Sequence, residues 1–100
     1  MTMEIESPKV HLAHSTYTTT TTSGTALAAN DGRKYAMFIN DSDTAIYLMI
    51  ALTAVANQGI RLSANGGSYE IGKLYGNLDS RAVNAIHNGT GNKTLLVAEG

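Results

Sequence analysis

The stretch KYAMFINDSDTAIYLMI at residues 34–50 decides the fold, because it places two apolar runs on either side of a polar turn. In the first run, at 35–39, large side chains alternate with a period of two, which is the period of a strand. The second run, at 45–50, is apolar on both faces, which is typical of a strand covered on both sides. The polar residues at 40–43 between the runs predict a tight turn.

Short apolar runs separated by Asn, Asp and Gly continue from this stretch to the C-terminus. The predicted turns are 30–32, 40–43, 65–67, 77–80 and 88–92, and the predicted strands are 34–39, 44–52, 58–62, 68–71, 81–87 and 94–98. Residues 53–57 are predicted to be a loop or a single turn, and no long amphipathic helix interrupts the strands. The pattern predicts an all-β fold, a small antiparallel β-sandwich or jelly-roll-like barrel of about seven to eight strands.

The first 24 residues differ from the rest of the chain. They contain the single proline, Pro8, and the run TYTTTTTS at 16–23. Threonine favours extended backbone, and the segment has few large apolar side chains to bury. We therefore predict an extended Thr-rich N-terminal arm at 1–24, followed by a β-sandwich domain at 25–100. Within the arm, 10–20 is expected to pair as an edge strand; the alternative is a disordered tail.

Charge and composition exclude several classes of function. The net charge is −1 and only 15% of the residues are charged, against about 25% in a typical soluble domain. The seven Lys and Arg residues are scattered along the chain. Binding to nucleic acid or to an anionic membrane surface needs basic residues in clusters, so neither partner is expected. The absence of Cys excludes disulfides, thiolate zinc sites and Cys nucleophiles.

The residues offer no catalytic, cofactor or metal site. His11 and His14 are three apart in an extended segment and point to opposite faces, so we expect them, and His87, to be exposed or at an interface. Asp41-Ser42-Asp43 begins like a calcium loop but lacks its later Gly and Glu, so a capped turn is the better interpretation. No Ser lies in a Gly-x-Ser-x-Gly elbow. We therefore expect a protein that is not an enzyme and has no cofactor.

Two groups of residues are candidates for self-assembly. They are Tyr17, Thr18, Thr20 and Thr22 in the arm, and Ile46, Leu48 and Ile50 in the apolar run. The arm is expected to add a strand to a neighbour's sheet edge, and a neighbouring subunit is expected to cover one face of the apolar run. Both predict a homo-oligomer, and a cyclic trimer is favoured.

Tyrosine suggests another function, because its ring stacks well on sugars. The chain has five Tyr, one Phe and no Trp. A carbohydrate-binding sandwich would need two or more of these rings exposed on one face. No predicted loop holds two aromatic residues beside acids, which favours tyrosines in the core or at a subunit interface.

The residues 26–97 also resemble a small β-domain found in virions of tailed bacteriophages. The likeness is carried by ALAAN (26–30), GRKYAMFIN (32–40), DSDTAIYL (41–48), GIRLSANGGSYEI (59–71), AVNAI (82–86) and the hairpin predicted at 88–97. Proteins of this kind are capsid decoration or cement proteins, head-fibre subunits and similar minor structural proteins. The resemblance implies a virion protein that is assembled in the bacterial cytoplasm, contacts the major capsid protein or other virion proteins, and has no catalytic residues. A head–tail or tail minor structural protein, or a host-recognition fibre module that binds carbohydrate, is the alternative.

Overall fold

The computed structural model describes residues 12–100, which form eight strands and one short 3₁₀ turn. The strands are β1 (Ala13–Thr19), β2 (Gly24–Leu27), β3 (Tyr35–Asn40), β4 (Ile46–Ile50), β5 (Ile60–Leu62), β6 (Ser68–Gly72), β7 (Val83–His87) and β8 (Lys93–Glu99). The 3₁₀ turn, Lys73–Tyr75, follows β6 directly.

The strands form two four-stranded antiparallel sheets. The first sheet has the order β1-β8-β3-β6 and the second has the order β2-β7-β4-β5. The pairs are nested along the chain, β1 with β8, β2 with β7, β3 with β6 and β4 with β5. Pairing of β3 with β8 joins the two strand pairs of the first sheet, and pairing of β4 with β7 joins those of the second. This is the strand order of a jelly roll, so the predicted all-β sandwich class is confirmed.

The turns between strands mostly cross from one sheet to the other. Within the described chain, only β4 and β5 are consecutive strands that also pair with each other. Residues 88–92, predicted to close a hairpin, instead carry the chain from β7 in the second sheet to β8 in the first. His87 organises this crossing: Gly89 N–H donates to its Nδ1 at 3.0 Å and its Nε2 donates to the carbonyl of Gly91 at 2.7 Å. The expectation of an exposed or interface His87 is therefore corrected, because the residue is only 1% exposed.

The core lies between the two sheets and takes side chains from both. Its fully buried members include Phe38 and Leu95 from the first sheet and Ile46 and Leu48 from the second. Burying each such side chain contributes about 1.5–3 kcal/mol. Ile50 is half-buried and packs against the same core. Since Ile46 and Leu48 face the opposite sheet with no exposed area, the structure assigns them to the core instead of to the interface suggested by the sequence.

The outer face of the second sheet is covered by the chain's own loop at 51–59. The N–H of Ala54, a buried residue of this loop, donates to Ser23 Oγ at 2.8 Å. Tyr47 of β4 is only 8% exposed, and its hydroxyl donates to Asn57 Oδ1 at 2.9 Å. The cover that the sequence assigned to a neighbouring subunit thus comes from the same chain, by way of the segment predicted to be a loop.

The predicted arm is in large part a strand of the sandwich. All seven residues of β1 pair with β8, from Ala13 opposite Glu99 to Thr19 opposite Lys93. Tyr17 packs against the core, and a Cβ added at Gly24 would lie 1.9 Å from its hydroxyl. The division at residue 24 is therefore corrected: Ala13–Thr19 belongs to the sandwich. The rest of the predicted arm, residues 1–11, lies outside the described residues.

Buried Asn40 joins the two sheets at the turn that follows β3. Its Nδ2 donates to the carbonyls of Thr44 at 2.7 Å and Leu62 at 3.0 Å, and its Oδ1 accepts from Ser42 Oγ at 2.6 Å. Asp43 in the same turn bonds Lys93 Nζ at 2.8 Å, and this hydrogen bond holds the pKa of Asp43 below its usual value. The polar residues at 41–43 therefore shape a turn, as the sequence indicates.

At the opposite end of the sandwich, buried Arg33 joins several chain segments by hydrogen bonds. Its Nε bonds Glu99 Oε2 at 2.8 Å, and its side chain has no exposed area. Its two terminal nitrogens donate to the carbonyls of Ala28 at 2.7 Å, and of Asp79 and Arg81 at 2.8 Å each. One guanidinium therefore satisfies three backbone carbonyls and one carboxylate that belong to three separate segments.

We expect Arg33→Ala to lower the free energy of unfolding by about 3–5 kcal/mol, because it leaves a carboxylate and three carbonyls without their partner. Arg81→Ala is the matched control. Arg81 pairs with Asp79 at 2.8 Å but is 64% exposed, so its loss should lower the free energy of unfolding far less than the loss of Arg33. Urea unfolding followed by circular dichroism measures both values, and equal losses would contradict the role given to Arg33.

Candidate functional site

The outer face of the first sheet carries an apolar groove of about 510 Å³. It forms because β3 and β8 have apolar side chains on both faces, so their outward residues meet on the surface. Met37 lies opposite Ala98, and Ile39 lies opposite Leu96. The residues that line this outer groove are His14, Ser15, Thr16, Met37, Ile39, Leu96, Val97 and Ala98.

The outer groove is suited to an apolar partner. Among its lining residues none is Lys, Arg, Asp or Glu. Its floor consists of Met37, Ile39 and Leu96, which remain partly exposed. On the β1 side, exposed His14 and Thr16 form a polar rim. An apolar floor with a polar rim is the usual composition of a protein interface.

A second cluster lies beyond β3, where two tyrosines share one carboxylate. Tyr35 donates to Glu70 Oε2 at 2.5 Å, and Tyr75 donates to the same oxygen at 3.0 Å. Sequence reasoning missed this site because it searched single loops for an acid beside two aromatic rings. These residues come from β3, β6 and the 3₁₀ turn. The signal that could have found them is the pairing of β3 with β6.

Sugar binding would need exposed tyrosine rings on one face, but Tyr35, Tyr47 and Tyr69 do not share a face. Tyr47 lies under the 51–59 loop on the second sheet, and Tyr69 packs against the core. Tyr35 is half-buried, whereas Tyr75 is 53% exposed. The most accessible aromatic ring of the carboxylate cluster is therefore Tyr75, which the sequence did not single out.

The candidate assembly residues of the arm are divided between two environments. Tyr17 points inward to the core, while Thr18 is exposed on β1. Thr20 and Thr22 lie in the turn after β1, where Thr20 Oγ1 accepts from Thr22 N–H and donates to the Thr22 carbonyl, both at 3.2 Å. Of these four residues, only Thr18 lies in the exposed part of β1.

Comparison of the chain with protein-family models, curated protein sequences and solved structures gave no match. Within residues 12–100, no group of three His, Cys, Asp or Glu side chains is arranged to hold a metal ion. The same residues include no helix long and apolar enough to cross a membrane.

The shared carboxylate predicts an unusual tyrosine titration. The hydrogen bond to Glu70, with burial and the carboxylate charge, raises the pKa of Tyr35 to about 12. A pKa raised by folding from the ordinary value near 10 contributes stability that is complete below about pH 10 and is lost as the pH rises towards 12. In an ultraviolet titration, we expect Glu70→Gln to move the pKa of Tyr35 back towards 10.

Tyr35→Phe identifies the signal in this experiment, because it should delete the late-titrating phenol from the wild-type curve. Tyr75 also has a raised pKa, caused by the same carboxylate, so it should shift in the same direction in Glu70→Gln. A wild-type titration curve unchanged by Glu70→Gln would contradict the shared hydrogen bond.

Proposed function

We propose that this chain is a structural protein of a tailed-bacteriophage virion, a capsid decoration or cement protein or a head-fibre subunit. It binds the capsid shell and associates with copies of itself through strand and apolar contacts. It assembles and does not catalyse a reaction. It has no cofactor, and its partners are the major capsid protein or other virion proteins, not nucleic acid or membrane.

The observation that carries the proposal is the outer groove. The second sheet is covered by its own loop, whereas the first sheet leaves Met37, Ile39 and Leu96 in a groove of about 510 Å³ without a covering segment among residues 12–100. A domain that has already buried its core gains little from a further apolar face unless a partner covers it. The groove therefore supports a binding function on this face.

Two further arguments favour a virion partner. Residues 26–97 resemble the small β-domains of phage decoration and head-fibre proteins, and they contain β3 to β7 in full and parts of β2 and β8. The jelly roll is also an architecture of viral capsid domains, although lectins share it, so the fold alone does not choose between them. The low charged fraction, 15%, suits a surface that is largely covered in an assembly.

Carbohydrate binding is the second candidate function, and one observation favours it. The exposed ring of Tyr75 lies beside the Glu70 carboxylate, which pairs a stacking face with a hydrogen-bond acceptor. It ranks second because Glu70 already accepts from two phenols and no second ring of the cluster is equally exposed. Binding on a glycan array that is lost in Tyr75→Ala would support this function over capsid binding.

Co-sedimentation with capsids of the phage that encodes the chain tests the main proposal. We expect Met37→Glu to weaken binding at least about ten-fold, because a carboxylate would be desolvated in an apolar contact. Leu52→Glu is the control, since Leu52 is 65% exposed on the loop over the other sheet. Leu52→Glu should melt close to the wild type, whereas Met37→Glu places a carboxylate opposite Glu70 and should melt somewhat lower, so circular dichroism must show that it is folded at the assay temperature. Equal capsid binding by the wild type and Met37→Glu would reject the groove as the capsid-binding face.

A further inference from the structure

Each sheet of the sandwich ends in two edge strands, whose outward N–H and C=O groups can pair with another chain. The edges are β1 and β6 in the first sheet, and β2 and β5 in the second. Native proteins protect such edges with short strands, bulges, charged side chains or covering groups. The four edges of this sandwich differ in how far they are protected.

Three of the edges are protected. Asn77 covers β6 as a neighbouring strand would: its Oδ1 accepts from Gly72 N–H at 2.9 Å and its Nδ2 donates to the Glu70 carbonyl at 2.9 Å. The four-residue β2 has a break in its register between Thr25 and Leu27. The remaining edge, β5, has only three residues, and the central one is Arg61.

Among residues 12–100, the β1 edge has none of these devices. It is seven residues long, AHSTYTT, without Lys, Arg, Asp, Glu, Pro or Gly. Its register with β8 is continuous over its whole length. Its first four residues are all exposed. It is therefore the longest and least protected edge among the described strands.

The hydrogen bonds of the first sheet show which groups of β1 are free. Tyr35 and Gly100 exchange both of their backbone hydrogen bonds, at 3.1 and 2.8 Å. In an antiparallel ladder such pairs alternate, so Glu99, Val97 and Leu95 of β8 direct their backbone groups to β1. Their partners there are Ala13, Ser15 and Tyr17. His14, Thr16 and Thr18 alternate with these partners along β1. Their backbone N–H and C=O groups consequently point away from the sheet.

We propose that the open edge of β1 binds β1 of a second copy of this chain, antiparallel and about a two-fold axis at Thr16. The proposal rests on the self-association included in the proposed function and names its surface. Thr16 then lies opposite Thr16 of the partner subunit, and His14 lies opposite Thr18. About six backbone hydrogen bonds join the copies, and the two first sheets become one eight-stranded sheet.

The sequence of β1 favours a second copy over a different protein. An antiparallel two-fold axis brings each residue near its own equivalent, so a charged residue near the centre would repel itself. β1 has no carboxylate or basic side chain besides the imidazole of His14, which lies opposite a threonine hydroxyl. Opposed threonines are a favourable cross-strand pair. Each copy has one such edge among residues 12–100, so the association closes at a dimer, in place of the trimer favoured from the sequence.

Disulfide trapping tests the register directly, because the native chain has no Cys. Paired residues of this type are about 5.5 Å apart between Cα atoms, within the range of a disulfide. We expect Thr16→Cys to form a covalent dimer on mild oxidation at least about ten-fold faster than Thr25→Cys. Thr25 is an exposed threonine on the protected β2 edge, so it controls for chance collisions. Equal rates for the two variants would overturn the proposal.

Sedimentation equilibrium of the full chain measures the association itself. Thr16→Pro removes only an outward N–H, which an edge strand tolerates, and should raise the dimer Kd at least about ten-fold. Thr16→Val, which keeps the N–H, should leave the Kd near the wild-type value, and circular dichroism checks that both variants are folded. Thr16→Lys gives a second disruptive variant, because two ammonium groups would face each other.

The outcomes separate this inference from the proposed function. Association of the wild type that is unaffected by Thr16→Pro and Thr16→Lys overturns the β1 edge but leaves self-assembly through another surface. A wild type that stays monomeric up to about 1 mM overturns both the edge and the self-association, while capsid co-sedimentation still decides the binding function. Dimers lost in both disruptive variants and kept in Thr16→Val support the β1 edge.

Asn77 provides a converse experiment on the protected edge. Asn77→Ala frees Gly72 N–H and the Glu70 carbonyl, so β6 becomes a second open edge on the same sheet. We expect this variant to form species larger than a dimer, because a sheet with two open edges can extend in both directions. Adding Thr16→Pro should then reduce the size of these species. A variant that remains dimeric would contradict the protective role of Asn77.

Discussion

Each antiparallel sheet of this chain must bury one apolar face, and the two sheets meet this need by covering each other. Phe38, Leu48 and Leu95 lie between the two sheets, and each has no exposed area. Apart from β4 and β5, strands that follow each other in the described chain lie in opposite sheets, so most hydrogen-bond partners come from distant parts of the sequence. The nested pairing of β1 with β8, β2 with β7 and β3 with β6 joins these distant strands. The buried Arg33 and Asn40 then supply hydrogen bonds to backbone groups that the crossings leave unpaired.

The two outer faces are treated differently, and this difference determines which surface is free. The loop at 51–59 returns over the second sheet and buries Tyr47. Nothing equivalent lies over the first sheet among residues 12–100, so the outward residues of β3 and β8 form the outer groove. An apolar run in a sequence is therefore not by itself a sign of an interface: 46–50 was covered by its own chain, whereas Met37 and Leu96 were not.

Strand positions could be predicted from this sequence, but strand partners could not. Alternation at 35–39 and clusters of Asn, Asp and Gly located β3, β4 and their turn closely, because both signals depend on neighbouring residues. Whether a turn closes a hairpin or crosses between sheets depends on distant strands, so 88–92 was predicted as a hairpin. The same limit hid the Tyr35–Glu70–Tyr75 cluster and led the predicted arm to include β1. Its Thr-rich composition is typical of an edge strand, which is why the extended backbone was predicted while its partner within the chain was missed.

The open edge of β1 and the outer groove adjoin on the first sheet, and this determines how two partners can bind at once. His14 and Thr16 direct their side chains to the groove and their backbone groups to the edge. A second copy joined at the edge would therefore extend the grooved face without covering it. The two grooves would lie side by side on one continuous sheet, related by the two-fold axis. A partner with a repeated surface, such as a capsid shell, could then contact both grooves, and the second contact would gain from the high local concentration set by the first. The proposed self-association and the proposed shell binding are thus compatible, because one uses backbone groups in the plane of the sheet and the other uses side chains perpendicular to it.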